Sequence, residues 1–210
     1  MEKTNNSIEL RGVLAGRPEY SHSVRGEEYF IFPLAVERLS GVTDVLNIMA
    51  RRELLEKTEL GEGTGIAVKG EVRSFNNRSG TGSRLVITVF AMELTIGDGT
   101  DTNRVSLTGT ICKTPTFRRT PMGREICDVM LAVNRRYGRS DYLPCIVWGT
   151  LAEETEKLGV GTEIRIFGRL QSRRYIKVVD GVQTERVAFE ISAASVEVTR
   201  DGKEKSACEM

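Results

Sequence analysis

Between positions 142 and 175, aromatic rings and guanidinium groups fall into a common phase. Successive side chains on a β-strand point to opposite faces. In Tyr142-Leu-Pro-Cys-Ile-Val-Trp148 that rule puts Leu143, Cys145 and Val147 on one side and Tyr142, Ile146 and Trp148 on the other. In Glu163–Arg173, Ile164, Ile166 and Leu170 share one side, opposite Arg165, Phe167, Arg169 and Arg173, with Tyr175 in phase if the strand runs on. One face is aliphatic, as a core face is. The other combines flat rings with fixed positive charge. Rings stack on bases and guanidinium groups neutralise phosphates, so the chemistry expected of this surface is a grip on single-stranded nucleic acid.

The elements that must hold these residues come in two copies. Ser-Ile-Glu-Leu-Arg-Gly-Val-Leu at 7–14 aligns with Arg-Val-Ser-Leu-Thr-Gly-Thr-Ile at 104–111, an offset of 97. The same offset pairs Pro18 with Pro115, Tyr20 with Phe117, Gly26 with Gly123, Leu34-Ala-Val36 with Leu131-Ala-Val133, and Asp44 with Asp141. At an offset of 98, Leu60-Gly-Glu-Gly-Thr matches Leu158-Gly-Val-Gly-Thr, and Ile66-Ala-Val-Lys-Gly matches Ile164-Arg-Ile-Phe-Gly. So dense a self-match predicts two homologous domains. The expected division is a first domain over 1–95, a linker over 96–102, a second domain over 103–200 and a tail over 201–210.

Each copy reads as five strands, at 8–14, 28–38, 45–51, 65–73 and 84–94, and again at 104–111, 125–135, 142–148, 163–172 and 185–197. A Pro-bearing loop follows the first strand, at 15–26 or 112–124, and a helical stretch, 52–60 or 150–158, separates the third from the fourth. Gly12 and Gly109 mark a bulge or bend in each first strand. Asp180-Gly181 marks a hairpin turn found only in the second copy. Five strands with one helix between the third and fourth is the order of the OB-fold. The fold class expected is therefore all-β, two tandem OB-folds, each a five-stranded Greek-key barrel that takes oligonucleotides across one face.

Composition narrows the function. The formal charge of +1 conceals a net of −3 over residues 1–102 and +5 over 103–200, and Arg outnumbers Lys 22 to 8. The positive half is also the half with the rings. The four cysteines (112, 127, 145 and 208) form no Cys-x-x-Cys pair and read as reduced, buried thiols of a cytoplasmic protein. A single histidine, His22 in a polar loop, leaves no material for a His-based metal site or a Ser-His-Asp triad. Glu153, Glu154 and Glu156 lie on a helical stretch without His or Cys and read as a solvated face. No catalytic residue, metal or cofactor is expected. Neither an apolar run of spanning length nor a signal peptide is read in the chain, so no membrane partner is expected.

At the level of motifs, the second copy can be placed. Arg104-Val-Ser-Leu-Thr-Gly, Thr120-Pro-Met-Gly, Leu131-Ala-Val-Asn, Asp141-Tyr through Trp148-Gly-Thr-Leu-Ala-Glu153, and Gly168-Arg-Leu-Gln-Ser-Arg-Arg-Tyr175 together resemble the bacterial single-stranded DNA-binding protein family. The resemblance covers nearly all of 103–198, and the first copy shares only the skeleton. It implies that Tyr137, Tyr142, Trp148 and Tyr175 stack on bases. Around them, Arg118, Arg119, Arg124, Arg135, Arg136, Arg165, Arg169, Arg173 and Arg174 are the candidates for phosphate contacts. The first-copy counterparts of the four rings are Ser40, Val45, Arg51 and Asn77, and those of Arg165 and Arg169 are Ala67 and Glu71. That domain is expected to keep the fold without the platform and to serve structure or assembly, with Tyr20 and Phe75 as packing residues. In the family a flexible tail ends in an acidic, Phe-terminated tip that recruits other enzymes. Residues 201–210 show neither feature, so recruitment by that route is not expected. The implied function is sequence-tolerant single-stranded DNA binding in DNA replication, recombination or repair, by a homodimer that supplies four OB-folds. The alternative is a primosomal-type adaptor that mainly docks replication proteins.

Overall fold

The computed structural model describes residues 4–57, 60–77, 84–135, 138–179 and 182–200. The first repeat runs β1 (Asn6–Leu14), β2 (Glu19–Val24), β3 (Glu27–Glu37), β4 (Thr43–Arg51), α1 (Arg52–Glu56), β5 (Gly65–Asn76) and β6 (Leu85–Ile96). The second runs β7 (Thr102–Ile111), β8 (Thr116–Arg119), β9 (Glu125–Asn134), β10 (Ser140–Trp148), α2 (Thr150–Glu156), β11 (Glu163–Val179) and β12 (Val182–Arg200). Most strands bury every second residue, as Leu46, Ile48 and Ala50 do in β4 and Val129, Leu131 and Val133 do in β9. That period is satisfied only by an extended ribbon with one face on a core.

In the first repeat the strands lie in the order β2-β3-β4-β6-β5-β1, and β1 closes back on β3 at Val13↔Ala35. The second repeat has the matching order β8-β9-β10-β12-β11-β7, closed by β7 on β9 at Thr110↔Ala132. Each contains one parallel pairing, Ile48↔Val89 in β4–β6 and Cys145↔Ile191 in β10–β12. These are two OB-folds in tandem, all-β apart from the short helices α1 and α2. The structure adds a sixth strand to each, β2 and β8, inside the Pro-bearing loops that the sequence predicted. β2 is exposed at all six positions, so it carries no burial alternation by which a sequence could announce it.

Glycines stand where backbones cross closely. A Cβ on Gly70 or Gly168 would meet the carbonyl oxygen of Phe90 or Ser192 at 2.1 Å. On Gly12 or Gly109 it would meet that of Ala35 at 2.1 Å or Ala132 at 2.6 Å. Only glycine admits such an approach.

The chain forms two compact units. Among the described residues, the first-repeat unit holds Ser7–Arg104 together with Gln171–Ala188, and the second-repeat unit holds 4–6, Val105–Leu170 and 189–200. The division expected at 96–102 thus accounts for most of the chain but not for the outer parts of β11 and β12; the Asp180-Gly181 turn expected between them lies outside the described residues. β11 and β12 are 17 and 19 residues long, against 12 each for β5 and β6. The surplus belongs with the first repeat.

A buried ion pair anchors that surplus. Asp44 is fully buried and accepts two bonds from Arg38, Nε at 2.7 Å and Nη2 at 2.6 Å. Its Oδ1 also accepts from the backbone N–H of Ser172 at 2.7 Å and from the Ser172 hydroxyl at 2.8 Å. The Ser172 carbonyl accepts from Arg38 at 3.0 Å. Burial alone pushes the Asp44 carboxyl up, but the bonds from Arg38 and Ser172 outweigh it and hold the group below its usual value. A carboxylate depressed by folding contributes stability that is present above its unfolded pKa of about 3.9 and lost as pH falls through the folded value. Asp44→Ala takes the carboxylate away from the part-buried Arg38 guanidinium and should cost about 3–5 kcal/mol in urea unfolding. The variant should also lose less stability than the parent between pH about 5 and 2; parallel acid titrations of the two would fail to differ if the pair were unimportant.

Candidate nucleic-acid interface

The outward face of the second barrel is set by the core beneath it. Leu143, Cys145 and Val147 of β10 and Ile164, Ile166 and Leu170 of β11 are buried. Alternation then turns Tyr142 and Trp148 outward on β10, and Arg165, Phe167 and Arg169 outward on β11. Tyr142 is 51% and Phe167 40% exposed, while Trp148 is half-buried. Ile146 departs from the simple pattern. It faces outward by phase yet is only 4% exposed. Trp148 donates its indole Nε1–H to the hydroxyl of Ser192 on β12 at 3.2 Å, which fixes the ring's edge. Tyr142 and Trp148 are six steps apart on one strand, about 20 Å at the usual rise per residue, so each ring can serve a different base.

The candidate arginines fall into distinct settings. Arg169 and Arg124 are exposed and make no ion pair among the described residues. Arg165 is half-buried; its Nε donates to the Thr108 hydroxyl at 3.3 Å and its Nη1 lies 3.7 Å from Glu197. Arg118 pairs with Asp128 at 2.6 Å and Arg119 with Glu125 at 2.7 Å, both well exposed. Such surface pairs are worth only about 0–1 kcal/mol and yield readily to a phosphate.

Arg135 is different. Expected among the phosphate contacts, it is bidentate to the fully buried Asp141, with Nε at 2.7 Å from Oδ2. The partner's burial is the reason it is committed there, since releasing it would strand a carboxylate in the core. Arg135 is thus a positioning residue for the β9–β10 hairpin, as Arg38 is for β3–β4. Arg136 and Tyr137 lie outside the described residues.

Tyr175, Arg173 and Arg174 sit on the part of β11 that belongs to the first-repeat unit. There the Arg173 guanidinium lies 5.6 Å from the centre of the Tyr175 ring, and Arg174 is 3.5 Å from Glu185. The structure therefore gathers Tyr142, Trp148, Arg165, Phe167 and Arg169 on one barrel. The three later residues form their own group on the other unit. Sequence reasoning missed Ser192 as the partner of Trp148; no local signal in β12 points to it. It also missed Arg135 as the partner of Asp141, although Arg38 and Arg135 share the offset of 97 that pairs Asp44 with Asp141.

The cysteines take no part. Cys127 and Cys145 are buried and Cys112 is half-buried. Burial raises all three thiols, that of Cys127 to about 11, so they stay protonated and unreactive at neutral pH. Cys208 lies outside the described residues. No cluster of three or more His, Cys, Asp or Glu side chains is placed to hold a metal among the described residues. Among the described residues, no helix is long and apolar enough to cross a membrane.

A paired OB-fold with an aliphatic interior and an outward platform of rings and guanidinium groups defines the class of protein. Comparison with known proteins narrows it: the Single-strand binding protein family model matches residues 102–199. Over 111 residues the chain is 36% identical to the single-stranded DNA-binding protein of Clostridium tetani, an alignment covering 50% of this chain and 74% of that one. It is 35% identical over 103 residues to single-stranded DNA-binding protein A of Bacillus subtilis, covering 45% and 58%. The chain belongs to the single-strand binding protein family. That is a family of binding proteins, in line with the expectation that the chain is not an enzyme. The fold likeness extends further. The crystal structure of the wild-type single-stranded DNA binding protein from Thermus aquaticus superposes with a TM-score of 0.76 at 24% identity, covering 94% of each chain. A deletion mutant of the same protein gives 0.78 at 23% identity, covering 96% of this chain and 97% of that one. The shared architecture thus spans both repeats.

The different settings of the arginines predict different effects on folding. Arg135→Ala should lower stability by about 3–5 kcal/mol, and Arg118→Ala by no more than about 1 kcal/mol. Thermal melting of the two variants separates these outcomes, and equal melting temperatures would contradict the role given to Arg135.

Proposed function

We propose that the chain binds single-stranded DNA across the outer face of its second barrel, with little regard to sequence, in DNA replication, recombination or repair. Bases stack on Tyr142 and Trp148, and Phe167 adds an outward ring on β11, while Arg169 and Arg124 meet phosphates directly and Arg165, Arg118 and Arg119 do so by exchanging their carboxylate partners. The observation that carries this reading is the phase of β10 and β11: rings and guanidinium groups share the exposed face, opposite an aliphatic face that is wholly buried. Stacking tolerates any sequence because every base has a π-face. The names of the relatives, single-stranded DNA-binding proteins, support the same ligand.

Trp148 is the chain's sole tryptophan, which makes the reading directly testable. Titration with oligo(dT) should quench intrinsic fluorescence strongly, and duplex DNA should do little. Trp148→Ala should weaken binding by about 1–3 kcal/mol, the cost of one base–aromatic stack. Arg169→Ala should instead lower the log–log salt slope by about 0.7, the share of one phosphate on a single strand. Fluorescence indifferent to oligo(dT), together with a loss of about 3–5 kcal/mol of folding stability in Trp148→Ala, would mean the ring is core and the reading wrong.

The assembly follows from the resemblance to the family, which implies four OB-folds in a functional unit; two per chain make a homodimer. Sedimentation at micromolar concentration should give twice the chain mass of 23.3 kDa. A monomer, or four chains together, would refute it.

A further inference from the structure

The outward residues of the two barrels occupy the same places with their chemistry exchanged. The parallel pairings fix the correspondence. Met49↔Phe90 in the first repeat matches Ile146↔Ser192 in the second. The close approaches of Gly70 to the Phe90 carbonyl and of Gly168 to the Ser192 carbonyl match as well. Phe90 therefore stands where Ser192 stands. Arg51, opposite Tyr29 on β3, stands where Trp148 stands opposite Ile126 on β9. His22, opposite Tyr29 on β2, stands where Arg118 stands opposite Ile126 on β8. The second repeat has a tryptophan with a serine partner. The first has an arginine with a phenylalanine partner.

These residues form a continuous strip. The Arg51 guanidinium lies 5.7 Å from the centre of the Phe90 ring. Phe90 and Tyr29 are 6.1 Å apart, and Tyr29 is stacked on His22 at 5.0 Å with 13° between the planes. His22 and Arg51 are exposed, and Tyr29 and Phe90 are half-buried. The neighbouring acids are already engaged, Glu28 by Arg52 and Glu71 by Arg73. Arg51 itself has no ion pair among the described residues.

We propose that His22, Tyr29, Arg51 and Phe90 form a second base-stacking site for single-stranded nucleic acid, on the repeat that lacks rings at the family's four stacking positions. The proposal rests on the reading that the chain binds single-stranded DNA. Flat rings beside a guanidinium that has no ion pair among the described residues suit a base and its phosphate. With a net charge of −3 over residues 1–102, this repeat gains little from counterion release, so its binding is carried by stacking and is less sensitive to salt than that of the second repeat.

The test uses the full chain. Trp148→Phe removes the only tryptophan while keeping a ring, and Tyr29→Trp added to it places a lone reporter in the strip. Saturable quenching of that reporter by oligo(dT), persisting at raised salt, is the expected result. Phe90→Ala in the parent chain should weaken oligo(dT) binding about tenfold and reduce the nucleotides occluded per chain, with Trp148 still quenched. As a measurement on the unaltered chain, photocrosslinking to 5-iodouracil oligonucleotides should map to His22, Tyr29 or Phe90. Quenching of Trp148 in the parent without quenching of the Tyr29→Trp reporter, and without crosslinks in the strip, overturns the site and leaves the function standing. If Trp148 is also indifferent, the function fails and takes the site with it. If Phe90→Ala alters sedimentation but not occlusion, the strip is a contact between copies of the chain, and the proposal is overturned.

Discussion

The display of the outward face depends on a buried carboxylate at the start of one strand in each barrel. Asp44 and Asp141 are both fully buried, and each is held by an arginine six residues earlier, across the turn. The turns are closed alike, by Arg38 N–H to the Val42 carbonyl at 2.8 Å and Arg135 N–H to the Arg139 carbonyl at 2.6 Å. In the ladders, Asp44 lies opposite Val36 and Asp141 opposite Val133. A hairpin between two alternating strands can slip by one residue only by turning every side chain to the other face. A charged group that is satisfied in one register alone makes the slip prohibitive, because in any other it would be buried without its partner. The core pattern prefers the correct register and the ion pair forbids its neighbours. Tyr142 and Trp148 point outward because Asp141 points in.

With the scaffold pinned in this way, the outward positions are free to differ. Arg51 and Trp148 occupy one place, as do Phe90 and Ser192, with no change in the strands beneath. The polar partners differ in kind as well: an indole N–H is tied to a hydroxyl in one barrel, and a guanidinium lies against a ring in the other. Each arrangement keeps a flat apolar group next to a group that holds it in place. The chemistry of the face is thus conserved in character while its residues have traded strands.

The sequence made the barrels legible through two regularities. Alternation in 142–148 and 163–170 assigned the faces, and the offsets of 97 and 98 revealed the duplication. Gly12 and Gly109 were read as marks of special backbone, and they prove to sit under the Ala35 and Ala132 carbonyls. What was not legible lay where those regularities stop. β2 and β8 carry no core-facing alternation, being edge strands in exposed loops. The excess length of β11 and β12 is solvated over much of its course, so its pattern did not tell how far the strands continue or which unit they join. The kinship of Phe90 with Ser192 was hidden because the longer hairpin shifts the last strand to an offset of 102, out of step with the rest of the alignment. The pairing of Arg135 with Asp141 was not legible because an arginine near a proposed groove looks the same in sequence whether its partner is a phosphate or a buried aspartate.

The two units do not respect the boundary between the copies that made them. The segment up to Asn6 belongs with the second repeat, and Gln171–Ala188 belongs with the first. Each unit is therefore completed by chain from the other copy. Deleting either copy would strip the survivor of part of its own fold, Ser172 and its bonds to Asp44 included. The two copies are thus bound to one another by the chain itself: neither core is complete in the residues of one repeat alone.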